Sequence, residues 1–470
     1  MKKKLLAGIL SAALCVTAFT GCNGGNNTST GGGKQLPDYD AKSDLEFILT
    51  SWYAPTITSE SLDTYIEAGF NEIMLQGNNI GGLSSTRAYE AALLCEEKGL
   101  NYYLCCENQV DSILSYASKY NGLEHCVGID VYDEPLINDG VNTLGNKTTG
   151  LMTLANYVES FQELYDDYNF FVNLHPLDAA NVQFKGSYDE YIAVTCEEIL
   201  AKLNEGDRWL SADSYPLRNK GSTAASYYLK VNWLLNLAQI ARAKYITYSD
   251  LGLKTNFYIQ AMPFSSTYNR FPSYEDLSMQ IYALMAFGYD SCNYFCYGTP
   301  PENFEFSGEQ YALVDRDGNT TPTYTAAKRI NHEIRKFDHV YMQFNAGWKG
   351  VLPIVGTKNS KGENESFTNL KDYANNTTLS VRTANLAEAT AENDTLIGVM
   401  TDEEGNYGYM LVNYNETTLG LVGNVELTFR NATKAQVYRN GVKEVVDVKN
   451  NKLTLPLGVG EGVFVIPYAA

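Results

Sequence analysis

From residue 45 to residue 298 the chain repeats one pattern: short apolar, β-branched or aromatic runs separated by segments with helical spacing. The runs are LEFILTSWY (45–53), FNEIMLQG (70–77), LNYYLCCE (100–107), CVGIDVYDE (126–134), NFFVNLHP (169–176), RWLSADSYP (208–216), TNFYIQAM (255–262) and YDSCNYFCYG (289–298). Between them lie SESLDTYIEAG, STRAYEAALLCEEKG, VDSILSYASKYNG, TTGLMTLANYVESFQELYDDY, SYDEYIAVTCEEILAKLNEG, AASYYLKVNWLLNLAQIARAK and YEDLSMQIYALMAFG. Several of these segments open on Ser, Thr or Asp, and Gly69, Gly99 and Gly288 each stand just ahead of the next run, which is the start and stop chemistry of helices. Strands joined through helices run parallel. Eight such units in about 255 residues match the size of a (β/α)₈ barrel. A doubly wound open sheet is the alternative, but no glycine-rich phosphate loop follows the first run. The expected fold is α/β, a (β/α)₈ TIM barrel over residues 44–345.

Beyond residue 345 helical spacing stops and short alternating strands take over: GVLPIV, TTLSVRTA, TLIGVMT, YGYMLVNY, NVELTFR, AQVYRNGVKEVV, KLTLPLG and GVFVIPY. Asn440-Gly441 supplies a two-residue hairpin turn. Residues 346–470 are therefore expected to form an antiparallel β-sandwich.

The start of the chain reads as an address. MKKK is a basic leader, LLAGILSAALCVTAF an apolar stretch, and Thr20-Gly21-Cys22 a small-residue cleavage site. Residues 1–22 thus look like a bacterial lipoprotein signal with Cys22 as the lipidated residue, although Phe19 also leaves ordinary secretion open. Residues 23–43, rich in Gly, Ser, Thr and Asn, are expected to be a flexible tether. The expected location is the outer face of a bacterial membrane, with the lipid as the sole membrane contact. Of the remaining cysteines, 95, 105, 106, 126, 196, 292 and 296, most sit in apolar runs without CxxC spacing. Buried thiols fit better than a zinc site; no metal or other cofactor is called for. Asp315 and Asp317 in VDRDGN lack the other positions of a calcium loop and read as a turn.

A net charge of −20 repels nucleic acid and anionic lipid surfaces. The partner is sought instead at the strand ends, where such barrels keep their reacting groups. Those ends carry Trp52 and Tyr53; Gln76 and Asn78; Glu107 and Asn108; Asp133 and Glu134; Asn173 and His175; Asp213 and Tyr215; Gln260; and Tyr294 and Tyr297. Amides and acids bind hydroxyls, and aromatic planes cover the apolar faces of sugar rings; no Lys or Arg stands there for a phosphate. A carbohydrate substrate is the expectation. Each residue also has a plainer role: the aromatics can lid the core, His175 can be a satisfied structural histidine, and Asp213 can fix its loop.

VGIDVYDEP (127–135) ends a buried run in two adjacent carboxylates stiffened by proline. A partly desolvated acid beside another has its pKa raised, as a general acid for glycosidic oxygen requires. The alternative is that Asp133 and Glu134 cap a helix or pair with an arginine.

Tyr132-Asp133-Glu134-Pro135 resembles the Asn-Glu-Pro motif of the clan A retaining glycoside hydrolases, whose glutamate is the acid/base. YDEP, VNLHPLDAAN, SADSYPL and the run YALMAFGYDSCNYFCYGTPP followed by ALVDRDGNTTPTYTAAKRINHEI resemble bacterial secreted proteins described as β-galactosidase-like, near glycoside hydrolase family 42, over residues 45 to 340. The resemblance implies a glycosidase with Glu134 as proton donor. It breaks at strand seven, where the clan places a nucleophilic glutamate and this chain has Gln260. The nucleophile then comes from elsewhere, or the mechanism inverts, or the protein only binds sugar. Asp213 is the candidate base or nucleophile. Glu107, Asp133, Asn173, His175 and Gln260, with Trp52, Tyr53, Gln76, Tyr215, Tyr294 and Tyr297, form the expected sugar-binding surround.

Overall fold

The computed structural model describes residues 36–41, 45–77, 80–106, 109–141, 145–177, 186–218, 228–265, 270–303, 305–357 and 385–470. Eight parallel strands form the barrel: β1 (Ile48–Ser51), β2 (Glu72–Leu75), β3 (Asn101–Cys105), β4 (Cys126–Asp133), β5 (Asn169–Leu174), β6 (Trp209–Asp213), β7 (Lys254–Gln260) and β8 (Ser291–Phe295). They pair in the order β1-β8-β7-β6-β5-β4-β3-β2. β1 and β2 close the ring through Asn71, whose backbone N–H donates to the Leu49 carbonyl (3.2 Å) and whose side-chain oxygen accepts from the Leu49 N–H (2.9 Å).

The crossovers are the helices the spacing implies. α1 (Ser59–Glu67) is opened by a Thr58–Ser61 capping box, and α2 (Thr86–Lys98) runs from a Ser85 cap to a left-handed Gly99. α3 (Leu151–Leu164), α4 (Tyr188–Val194), α5 (Leu234–Arg242), α6 (Tyr274–Ala286) and α7 (Pro322–Arg335) follow β4 to β8, and α8 (Asp338–Asn345) comes after. One expected helix is broken: VDSILSYASKYNG forms three short turns over 110–120. Its β-branched and serine residues hold no long helix.

α6 is buried on every side from Asp276 to Ala286, because it lies between the barrel and a second layer. That layer is a six-stranded antiparallel sheet of β9 (Gly350–Ile354), β11 (Thr395–Thr401), β12 (Tyr407–Asn413), β17 (Gly462–Tyr468), β14 (Lys434–Arg439) and β15 (Val442–Asp447), in that order. A three-stranded sheet of β10 (Leu386–Ala391), β13 (Gly423–Phe429) and β16 (Lys452–Leu457) covers its other face. The sandwich is thus present, and Asn440 and Gly441, both at positive φ, turn its β14–β15 hairpin. TTLSVRTA, expected as a strand, and the segments 1–22 and most of 23–43, Cys22 included, lie outside the described residues. All seven remaining cysteines are buried thiols outside any disulfide.

Candidate active site

The strand alternation sends Asn173, Ser211, Asn256 and Ser291 toward the barrel axis, where their side chains bond one another across neighbouring strands. The same parity brings Asp133, Asp213 and Tyr258 to the C-terminal mouth. There Trp52, Asp133, Glu134, Asn173, Asp213, Tyr215, Tyr258, Phe264, Phe295, Glu305 and Phe306 line a cleft of about 210 Å³. Four carboxyl groups share this space, and its described lining holds no lysine or arginine. Glu134 sits at φ +52°, a conformation residues other than glycine rarely take and one found at functional sites.

The electrostatics follow from that crowding. Loss of water, then the charges of Asp133 and Glu305, push the Glu134 carboxyl up to about 8. Its side chain keeps 39% exposure through the cleft mouth, which tempers the push without reversing it. Burial, then the charges of Glu134 and Asp133, hold the Asp213 carboxyl well above the usual range, against an opposing pull from His175 and Tyr215. One Asp213 oxygen is buried without a hydrogen-bond partner. Loss of water also raises Asp133, while the Asn173 amide (3.1 Å) and the His175 ring oppose it. Asp133 is exposed at the mouth, so that opposition weighs more there than at the sealed Asp213. His175 Nδ1 lies 3.1 Å from Glu134 Oε1, and burial lowers the imidazole's pKa. Its backbone N–H meets the Tyr191 hydroxyl, which donates to the Pro135 carbonyl (2.6 Å) and so ties the loop after β5 to the Asp-Glu-Pro turn.

Of the residues the sequence singled out, Trp52, Asp133, Glu134, Asn173, Asp213 and Tyr215 share the cleft, with His175 against Glu134. Trp52 stacks on Phe295, ring centroids 5.3 Å apart. Others go elsewhere. Gln260 is fully buried; its side-chain oxygen accepts from the Leu217 N–H (2.8 Å) and its amide N–H faces the Met262 carbonyl (3.4 Å). It braces the loop after β6 rather than a sugar hydroxyl. Tyr294 points outward, because Phe295 takes the inward parity; its hydroxyl donates to Asn331 on α7 (2.6 Å) and its ring meets Phe70 edge-on. Tyr297 is buried against Tyr65 and Phe70. With Tyr53 it borders a separate cavity of about 410 Å³ beside the Asp315–Gly318 turn. Gln76 is half-buried and absent from the cleft lining, and Glu107 lies outside the described residues.

Sequence reading missed Glu305, Tyr258, Phe264, Phe295 and Phe306. Strict alternation through β7 and β8 marks Tyr258 and Phe295. Glu305, a lone acid between two phenylalanines in PPENFEF, is on a loop and carries no periodic signal. Asp130, buried three positions below Asp133, is also held well above the usual carboxylate range, by burial and then by Asp133.

No family model matches the sequence, and no curated protein does. Solved structures with some likeness include a β-galactosidase from the psychrophile Marinomonas ef1, with a TM-score of 0.45 and 12% identity over 64% of this chain and 62% of that one. The match thus spans under two thirds of that β-galactosidase. An Anoxybacillus α-amylase scores 0.49 at 8% identity, over 93% of this chain and 99% of the other. A GH27 β-L-arabinopyranosidase from Geobacillus stearothermophilus scores 0.43 at 11%, over 92% and 98%. At such identities any functional reading rests on this chain's own residues.

Proposed function

We propose that the chain is a glycoside hydrolase that cleaves an O-glycosidic bond in an extracellular carbohydrate. The observation that carries this reading is the convergence of Glu134, Asp213, Asp133 and Glu305 with aromatic walls in one acidic cleft at the strand ends. Glu134, neutral at pH 7 by its raised pKa, delivers its proton to the glycosidic oxygen. Asp213 is the base or nucleophile. Burial and neighbouring charge disfavour its ionised form in the free protein. Positive charge developing at the anomeric carbon offsets that penalty, so the interaction strengthens in the transition state. Asp133 and Asn173 bind hydroxyls, and Trp52 and Tyr215 face the ring. A lipid on Cys22 would hold the enzyme at the outer membrane face; loss of labelled palmitate from a Cys22→Ser chain checks that point.

The test is release of reducing sugar from a glycan panel by the purified protein and by Glu134→Gln. Activity abolished by Glu134→Gln with sugar binding retained supports the reading. Gln260 favours one rival, a barrel that binds carbohydrate without cutting it, since the amide replaces a carboxylate at the end of β7. Binding without hydrolysis by the unmodified protein establishes that rival.

A further inference from the structure

Five side chains on five consecutive barrel strands form one continuous hydrogen-bond chain. The Ser291 hydroxyl donates to Asn256 Oδ1 (2.6 Å), and Asn256 Nδ2 donates to Ser211 Oγ (2.9 Å). The Ser211 hydroxyl donates to Asn173 Oδ1 (2.9 Å), and Asn173 Nδ2 donates to Asp133 Oδ1 (3.1 Å). Ser291 and Ser211 are fully buried; Asn256 and Asn173 are 2% and 3% exposed. Water therefore does not interrupt the chain.

Every bond runs the same way. A serine has one proton to give, and an amide has one oxygen and one NH₂. Reversing one link therefore forces the next to reverse, and only two arrangements satisfy all five groups. In one, all donors point at Asp133, which must accept. In the other, all point away, and Asp133 must carry a proton to give. The reversed polarity requires a protonated Asp133, whereas the observed one sets an N–H donor on Asp133 Oδ1, which favours the ionised form. The observed polarity ends on Asp133 as acceptor.

We propose that this one-way relay, Ser291 to Asn256 to Ser211 to Asn173, keeps Asp133 the ionised member of the Asp133–Glu134 pair and thereby leaves the proton on Glu134. The inference rests on Glu134 being the proton donor and adds what assigns that role between two adjacent acids. Around Asp133 stand Asp130 on its own strand, Glu134 next to it in sequence, His175 after β5, Asp213 on β6 and Tyr215 after it, Tyr258 on β7, and Cys296 and Glu305 after β8. None of these described groups is a fixed cation. Asp133 is also the acid with the most solvent, so its charge is the least expensive to keep. Ser211, Asn256 and Ser291 touch no substrate; they are positioning residues acting through Asn173.

The experiment is a ¹³C-carboxyl NMR titration of Glu134 and Asp133 in the full protein and in Ser211→Ala, Ser211→Thr and Ser291→Ala. Ser211→Ala removes the donor to Asn173. The Asp133 midpoint should rise and the Glu134 midpoint fall, by about half a pH unit or more. Ser291→Ala should shift both in the same senses but less, and Ser211→Thr, which keeps a hydroxyl, should restore them. A folded Ser211→Ala, or a folded Ser291→Ala if the first does not fold, with both midpoints unmoved or moving together overturns the relay. Because the titration needs no substrate, a protein that cleaves no sugar would overturn the proposed function and leave this measurement decisive on its own.

Discussion

Glu134 Oε1 and His175 Nδ1 face each other at 3.1 Å, and the histidine is the partner that burial keeps neutral. A charged imidazole would hold Glu134 ionised; a neutral one leaves it free to keep a proton. The contact therefore sets an uncharged ring beside the carboxyl and leaves its raised pKa in place, which a reusable acid needs.

Stability should carry the signature of that raised pKa. A glutamate in an unfolded chain titrates near the usual ~4.3, and Glu134 in the folded protein near 8. Between those values the folded state holds the extra proton, so this group's stabilisation is full below the lower pKa and is lost as pH rises through the higher one. Thermal unfolding of the intact protein should show a lower Tm at pH 9 than at pH 6. Glu134→Gln should flatten part of that difference, Glu72 being likewise pushed up to about 8 by burial, and be the more stable protein at pH 9, at the expense of activity.

Arg316 predicts a second effect. Its guanidinium reaches the carbonyls of Pro300 (2.9 Å), Gly308 (2.9 Å) and Phe306 (3.4 Å), so it pins the loop that carries Glu305 and Phe306 into the cleft. Arg316→Ala should lower kcat/KM about tenfold, as ~1.4 kcal/mol of lost positioning would, with a smaller change in Tm. Arg316→Lys should not restore it, because one ammonium cannot match the three-acceptor spread. Steady-state kinetics on whichever glycan the protein cleaves, beside calorimetry, separates the two effects.

The barrel is legible in the sequence because strands covered on both faces read as continuous apolar runs; seven of the eight runs contain a whole strand, and TNFYIQAM holds all of β7 but its first residue, Lys254. Individual side chains were harder. FYIQAM reads as presenting Gln260 to ligand, yet the glutamine curls into the loop after β6 and bonds Leu217. NYFCY offers three aromatics within four residues, and only Phe295 has the parity that reaches the cleft. LAEATA, the β10 strand, went unread because its register slips between Leu386 and Glu388 and its burial does not alternate. Glu305 needed the tertiary path of its loop, which no local pattern encodes.

A buried ion pair joins barrel and sandwich. Lys230, before α5, meets Asp394, just ahead of β11, at 2.5 Å, with side chains 1% and 0% exposed. The other Asp394 oxygen accepts from the Gly356 N–H (2.8 Å). Removing one partner strands a desolvated charge. Lys230→Met should destabilise by ~3–5 kcal/mol, and Lys230→Met with Asp394→Leu should recover a large part of it. Urea denaturation of the two variants measures the difference; equal losses would mean that the pair is not the seam's electrostatic tie.

The same seam depends on a missing side chain. Gly462 opens β17 where the strand crosses α6, and a Cβ there would fall 2.0 Å from Cγ of Tyr282. Tyr282 is buried and stacks on Phe337, so its ring cannot step aside without disturbing α6. That helix also supplies the Gln280 amide that bonds both the N–H and the carbonyl of Gln260, beside the cleft. Gly462→Ala should therefore cost at least the ~1–3 kcal/mol of an overpacked core. Gly405→Ala, at a turn with no neighbouring atom within 4 Å of the new Cβ, should cost less and only through its positive φ of 79°. Hydrogen exchange makes the distinction sharper: Gly462→Ala should speed exchange across α6 and the end of β7, while Gly405→Ala should affect the β11–β12 turn alone.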